Sequence, residues 1–292
     1  MFQRPALLVP DPVPPLRLLQ TLQCPACGEP PDLGVTACPS CGRPDRTESG
    51  AFDYLYGEWA ESARRFAELY IPLRTREGWR DRSGREDPDR RIMGSRLWRH
   101  RKRAAEAAGK IVRDYLFMTE PPLVADVGAG GAWLARLLPF ALTAAVDVIE
   151  PPVGGGSHLR IRADMRRMPF RDACLNAAVY CSSLQYGPVR DGIAEAARVL
   201  RPGGILVVVE SAVFTDAESA AAAHRKTEAY LARAGFAGLA AYHYPIVASE
   251  LRAALEGSGM VVERLDEPPA VYGPTQMMRG ARAFPTLVAR RS

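Results

Sequence analysis

From residue 123 to the C-terminus the sequence alternates short β-rich runs with helical stretches, and this alternation constrains the fold more than any other feature. The β-rich runs fall at 123–127, 143–149, 159–163, 177–181, 205–210, 261–265 and 285–289; helical patterns fall at 132–138, 189–200, 216–234 and 249–256. Such alternation needs right-handed βαβ crossovers, and hence a mainly parallel sheet. The expected architecture is α/β, with helices on both faces of the sheet. The first crossover is the most specific. Leu123-Val-Ala-Asp126-Val-Gly128-Ala129-Gly130-Gly131 reads as a strand, a glycine turn and a helix start. Its glycines let the backbone turn sharply and bring main-chain N–H groups close to a ligand. It is not a dinucleotide fingerprint, because G-x-G-x-x-G would need a third glycine where Trp133 stands. Taken alone, the pattern also fits a tight βα turn in other α/β proteins.

Further positions follow in order. Asp147 ends the second strand, 17 residues after Gly130. Ala163-Asp164-Met165 precedes Met168-Pro169-Phe170. Glu195-Ala-Ala-Arg198-Val-Leu200-Arg201-Pro202-Gly203-Gly204 reads as a helix, a turn and a strand entry, and its Pro-Gly-Gly is also plain turn chemistry. Together, over about residues 120 to 292, these stretches resemble the class I (Rossmann-like) S-adenosylmethionine-dependent methyltransferases, UbiE/methyltransferase-11-like. The resemblance implies a seven-stranded Rossmann-like sheet. It places Asp126 against the cationic methionine end of the cofactor, where a carboxylate suits an ammonium or sulfonium and not a phosphate. It gives Asp147 the two ribose hydroxyls, which a bidentate acceptor can hold, and Asp164 the adenine amino group. The implied cofactor contacts are Asp126, Gly128, Ala129, Gly130, Asp147, Val148, Asp164, Met165 and Cys181. There are departures from the family pattern. Pro151-Pro152-Val-Gly154-Gly155-Gly156 leaves too little room for the usual helix after the second strand. Asn176 replaces a frequent acid, and Gln185-Tyr186 stands where many small-molecule members carry paired histidines.

Of six cysteines, four lie within 18 residues. Cys24-Pro-Ala-Cys27-Gly and Cys38-Pro-Ser-Cys41-Gly are two C-P-x-C-G knuckles, and four thiolates from two such turns close a tetrahedral shell around Zn²⁺. A closed shell makes the metal structural. Redox chemistry of the thioredoxin kind would need only one C-x-x-C. The ribbon resembles the zinc-ribbon activator subunits of tRNA methyltransferases and the N-terminal zinc module of 23S rRNA guanine-N1 methyltransferases, which use histidine where this chain has Cys41. The expected organisation is an extended lead-in over 1–20, a zinc ribbon over 21–50, a basic helical segment over 51–118 and the methyltransferase domain over 119–292. In the basic segment, which would serve as a lid or a partner contact, Phe52, Leu55, Trp59, Ala63 and Phe66 recur at helical steps, and Pro72 is expected to close that helix. A second helix, over about 95–117, sets Leu97, Ala104, Ala108, Ile111 and Tyr115 opposite Arg99, Arg101, Lys102 and Arg103.

The net charge is +5, but residues 64–113 hold 16 Lys/Arg against 7 Asp/Glu. That balance suits either a solvated helical surface or an anionic partner. No apolar run approaches the ~20 residues of a membrane span, and the run at 6–9 is too short for a signal-peptide core. A cytoplasmic protein with no membrane contact is expected. The stretch 214–244, rich in Ala and aromatics, is able to cover an apolar pocket, which points to a small organic methyl acceptor. The alternative is RNA, bound through the ribbon and the basic 64–113 segment; a non-catalytic cofactor-binding protein is a third class. Catalytic candidates are Tyr186 and His224, with Tyr230, Tyr242, His243 and Tyr244 nearby. For His224 a solvated helix position is the competing reading, and for the tyrosines a place in the core or pocket wall.

Overall fold

The computed structural model describes residues 16–32, 34–80, 96–116, 120–152, 158–266 and 282–292. Its main sheet runs, in spatial order, Phe52–Asp53 (β1), His158–Arg162 (β4), Leu142–Asp147 (β3), Leu123–Val127 (β2), Leu175–Cys181 (β5), Leu200–Val209 (β6), Thr286–Arg291 (β11) and Met260–Asp266 (β9). The pairings from β1 through β6 are parallel, and β11 lies antiparallel between β6 and β9. Val213–Phe214 (β7), Ile246–Val247 (β8) and Arg282–Ala283 (β10) form a second, three-stranded sheet. The chain moves outward from β2 to β3 and β4, then returns to β5 on the other side of β2. Strand order therefore reverses between β2 and β5, the place where open α/β sheets bind ligands.

Strands buried on both faces explain the near-continuous apolar runs in the sequence. Successive residues of β2 serve opposite layers: Val124 packs with one core, Ala125 and Val127 with the other. Counting helices along the chain, Leu16–Leu19 is α1, Gly57–Arg76 α2, Arg96–Tyr115 α3, Leu134–Leu137 α4, Val189–Val199 α5, Ala217–Arg233 α6 and Ala248–Gly257 α7. Ala105, Ala108, Ile111 and Val112 of α3 cover one sheet face. Ile193 and Ala196 of α5, with Leu251 and Leu255 of α7, cover the other. Among the described residues no helix is long and apolar enough to cross a membrane.

Three local features differ from the sequence reading. Phe52, expected to open a helix, instead sits in β1, paired in parallel with Ile161 and buried; among the described residues the sheet thus has eight strands, the expected seven plus this edge strand. Pro72 does not close its helix, which runs on to Arg76. Pro72 removes one backbone hydrogen bond, but buried Phe66 and Leu73 pack against Leu231 and Leu239 and hold the helix through it. Residues 16–19, expected in the extended lead-in, form a short helix whose Leu18 and Leu19 are buried; residues 1–15 lie outside the described residues, as do 153–157 of the Pro-Gly stretch.

The cysteine segment is docked on the sheet. Gln23 donates its backbone N–H to Pro169 O and Arg171 donates to Thr21 O, each at 2.8 Å, and Leu22 bridges Phe170. The guanidinium of buried Arg160 on β4 donates to Ser49 O at 2.6 Å and to Ser49 Oγ at 2.9 Å. Leu18, Leu22, Phe52 and Tyr54 belong to the same core as β2 through β6. Leu22→Ala, at a site with no exposed surface, should therefore destabilise the chain by about 2–5 kcal/mol. Denaturant unfolding followed by circular dichroism should show one transition at a lower midpoint. A separate early transition for the N-terminal segment would contradict the shared core.

Candidate active site

The glycine turn after β2 is shaped by a carboxylate from the neighbouring strand. Gly128 and Ala129 donate their N–H groups to Val146 O at 2.8 and 3.1 Å. Gly130 donates to Asp147 Oδ2, and Ile149 to Asp147 Oδ1, each at 2.8 Å. Gly128 has φ +72°, and a Cβ there would lie 2.3 Å from Ser183 Cβ, so only glycine lets the end of β5 come this close. Ser183, in turn, donates its hydroxyl to Val127 O. The helix that follows, α4, has only four residues, shorter than the pattern at 132–138 suggests.

A cavity of about 200 Å³ opens at this edge of the sheet. Asp126, Gly128, Ala129, Gly130, Asp147, Val148, Asp164, Met165 and Cys181 all line it. Asp126 is buried and its Oδ2 has no hydrogen-bond partner. Burial, then the charge of Asp147, pushes its carboxyl up to about 8. A buried, unpaired acid is costly and is relieved by a cation. Backbone N–H groups reach both oxygens of Asp147 and fix its carboxylate at the rim of the cavity. Asp164 is held by Arg166. Burial raises the Cys181 thiol, which makes it a wall and not a thiolate.

In the cavity wall, α2 supplies Phe66 and Tyr70, which stack on each other at 4.8 Å between ring centroids and meet Tyr186 and Tyr242 in edge contacts at 5.3–5.9 Å. Arg74 donates to the Tyr186 hydroxyl at 3.0 Å, and Tyr244 also reaches the cavity. His224 is not among the cavity's lining residues; it lies 3.5 Å from Glu228 and stacks on His243. Tyr230 is exposed and donates its hydroxyl to Glu77. The sequence reading missed Trp79, Arg80 and Arg101 in the lining. The guanidinium of Arg101 lies 4.1 Å from the Trp79 ring centroid, a pairing without any local sequence signal.

The four clustered cysteines meet at one point, their Sγ atoms within 4.8 Å of one another. Cys24 and Cys41 are 3.8 Å apart and Cys27 and Cys38 3.5 Å, too long for disulfides. Four sulfurs about 2.3 Å from one metal would stand about 3.8 Å apart, which the cluster matches. Each knuckle closes the same way. Gly28 donates to Cys24 O at 2.8 Å and Gly42 to Cys38 O at 2.9 Å, both glycines at positive φ. The donor set fits Zn²⁺.

The family described as "Hypothetical methyltransferase" matches residues 84–229. Ribosomal RNA-processing protein 8 of Rattus norvegicus is 31% identical over 132 residues, covering 43% of this chain and 26% of the relative. The Mus musculus protein of the same name is 45% identical over 47 residues, covering 16% and 10%. The chain thus spans about a quarter or less of the length of the curated relatives it matches. Among solved structures, geranyl diphosphate C-methyltransferase from Streptomyces coelicolor A3(2), in complex with S-adenosyl-L-homocysteine, aligns with TM-score 0.52 and 15% identity, over 82% of this chain and 99% of its own. The [4+2]-cyclase SpnF aligns with TM-score 0.51 and 17% identity, over 80% and 96%. At such identities the likeness shows the fold alone.

Two outcomes are expected. An acid raised in the folded state binds its proton more tightly there than in the unfolded chain, so Asp126 stability is lost as pH rises from about 4 to about 8. Ligand-free Asp126→Asn should lack that part of the slope, up to about 1.4 kcal/mol per pH unit. Denaturation midpoints of parent and variant across pH 5–9 measure it, and parallel curves would contradict it. Metal analysis should find about one zinc per chain, lost in Cys24→Ser/Cys27→Ser along with a fall in the unfolding midpoint of the whole chain.

Proposed function

The chain belongs to the family of hypothetical methyltransferases that its residues 84–229 match, and from that premise we propose that it transfers a methyl group from S-adenosylmethionine to a small organic acceptor. The observation that carries the reading is the buried Asp126 carboxylate at the switch point, 2 % exposed, beside the glycine turn and with no hydrogen-bond partner for Oδ2. A phosphate would be repelled there, whereas an ammonium or sulfonium end would be held. S-adenosylmethionine, when bound, supplies a methyl group on a sulfonium that is already a good leaving group. The chain then has to align and to exclude water. Asp126 holds the cationic end, Asp147 takes the ribose hydroxyls, and Asp164 takes the adenine amino group. Gly128, Ala129 and Gly130 give the close backbone approach; Val148, Met165 and Cys181 wall the site.

Phe66, Tyr70 and Tyr242 cover the cavity with apolar ring surface, which supports a small planar acceptor beside Tyr186. Tyr186 is the candidate that reaches the acceptor; with Arg74 donating to its oxygen, its own proton is left to donate. His224 stands outside the cavity lining and has no role in this reading. Zn²⁺ on Cys24, Cys27, Cys38 and Cys41 has a structural role.

A second reading, an RNA base as acceptor, is favoured by the names of the curated relatives and by α3. Arg99, Arg103, Lys110 and Arg113 are exposed and recur at helical spacing on the side away from the sheet, with Glu106 among them. Calorimetry should show binding of S-adenosylhomocysteine that Asp147→Ala weakens by at least tenfold, since charge-assisted bonds contribute about 1.5–3 kcal/mol. Unchanged affinity would move the ribose site elsewhere. Filter binding with structured RNA separates the acceptors. Retention that falls steeply with salt, with a slope reduced by about one per lost phosphate contact in Arg99→Ala and Arg103→Ala, supports RNA. Indifference to RNA at low salt supports the small acceptor.

A further inference from the structure

The loop after β4 contains an ion pair that the methyl-transfer reading leaves without a task. Arg166 grips Asp164 as a fork: Nε donates to Oδ1 and Nη2 to Oδ2, both at 2.8 Å. The Arg166 backbone N–H adds a third bond to Oδ1 at 2.9 Å. Oδ1 then has both lone pairs engaged and Oδ2 has one left. Both residues line the cavity, and their side chains are 15% (Asp164) and 28% (Arg166) exposed. On its other side the Arg166 guanidinium lies 4.6 Å from the ring centroid of Trp59, which belongs to α2.

The fork is not needed to shape the loop. Arg167 already donates its backbone N–H to Asp164 O at 3.0 Å and closes the turn. What the fork does is stop the carboxylate rotating, because a planar guanidinium accepts only one carboxylate orientation for two parallel bonds. An unrestrained carboxylate has several acceptor directions and can recruit water. A fixed one with a single remaining lone pair accepts one donor at one place. An exocyclic amino group on a purine is such a donor; a 6-oxo group presents a lone pair instead and is repelled.

We infer that Arg166 is a specificity-determining positioning residue: by locking Asp164 it makes the cleft select an adenine over a 6-oxopurine cofactor, and through Trp59 it ties that selection to helix α2. The inference rests on the cofactor reading above. The Trp59 contact means that the base end of the cleft is finished by a side chain of α2. Loosening α2 at this point loosens the purine reader without touching Asp164 itself.

The test is calorimetry on the full zinc-loaded chain with S-adenosylhomocysteine and its 6-oxo analogue, S-inosylhomocysteine. The parent is expected to prefer the adenosyl compound by about 10- to 100-fold, the range of a single charge-assisted hydrogen bond replaced by a repulsion. Arg166→Gln and Arg166→Lys both lose the fork, and Lys keeps the charge. Each is expected to bring the ratio of affinities to within about threefold, with the unfolding midpoint measured alongside. Trp59→Leu should lower the ratio part of the way. A merely structural ion pair would weaken both ligands equally and leave the ratio alone. An unchanged ratio in both Arg166 variants, or a parent that does not discriminate, overturns the inference by itself. A parent that binds neither ligand removes the cofactor reading, and this inference with it.

Discussion

Two main-chain N–H groups converge on the carboxylate of Asp147, one from the loop after β2 and one from the loop after β3. That convergence ties the exits of two adjacent strands together before any ligand arrives. It holds Gly130 at positive φ. The approach of Ser183 to Gly128 sets the third side of the turn. A cleft so held has little ordering left to do on binding, which is the general route by which a small site gains affinity. The length of α4 fits the same arrangement. The turn is stabilised by side-chain and strand contacts, so a four-residue helix suffices after it.

Asp126 is the opposite case. It is buried without a partner for one oxygen and destabilises the ligand-free fold. A fold retains such a group when something bound repays the cost. The same overall fold, at a TM-score of 0.51, accompanies a cyclase. Architecture therefore does not choose the reaction, and the identity of the groups at the strand ends does. Here those groups are carboxylates at the ends of β2 and β3 and in the loop after β4, a set suited to a cation with a diol and unsuited to a pyrophosphate.

The sheet is legible because its strands are buried on both faces, and such runs carry their own signal; the apolar run 123–127 coincides with β2 at both ends. The knuckles were legible because their geometry is local to five residues each. What could not be read has a common cause in contacts that span the chain. Phe52 stands at helical spacing from Leu55 and Trp59, yet pairing with Ile161 decides its conformation. Leu18 and Leu22 carry no periodicity that announces a shared core with β3 and β4. Tyr186 and Tyr242 join Phe66 only once three elements have packed. Asp164 and Arg166 stand two apart on a loop, a spacing that implies no contact until the turn places them face to face.

Pro72 shows how a local rule can be overridden to a functional end. Read by propensity, it closes the helix four residues early. If it did, Arg74 would leave the helical path and lose its reach to Tyr186. With the helix continuous, Trp59 and Arg74 are fixed on one rod, 15 residues or about 22 Å apart. One meets Arg166 in the loop after β4, the other Tyr186 in the loop after β5. Phe66 and Tyr70 lie between them, over the cavity. A single helix therefore touches both Arg166, which holds Asp164, and Tyr186. The helix that covers the site thus carries side chains that meet both the loop after β4 and the loop after β5.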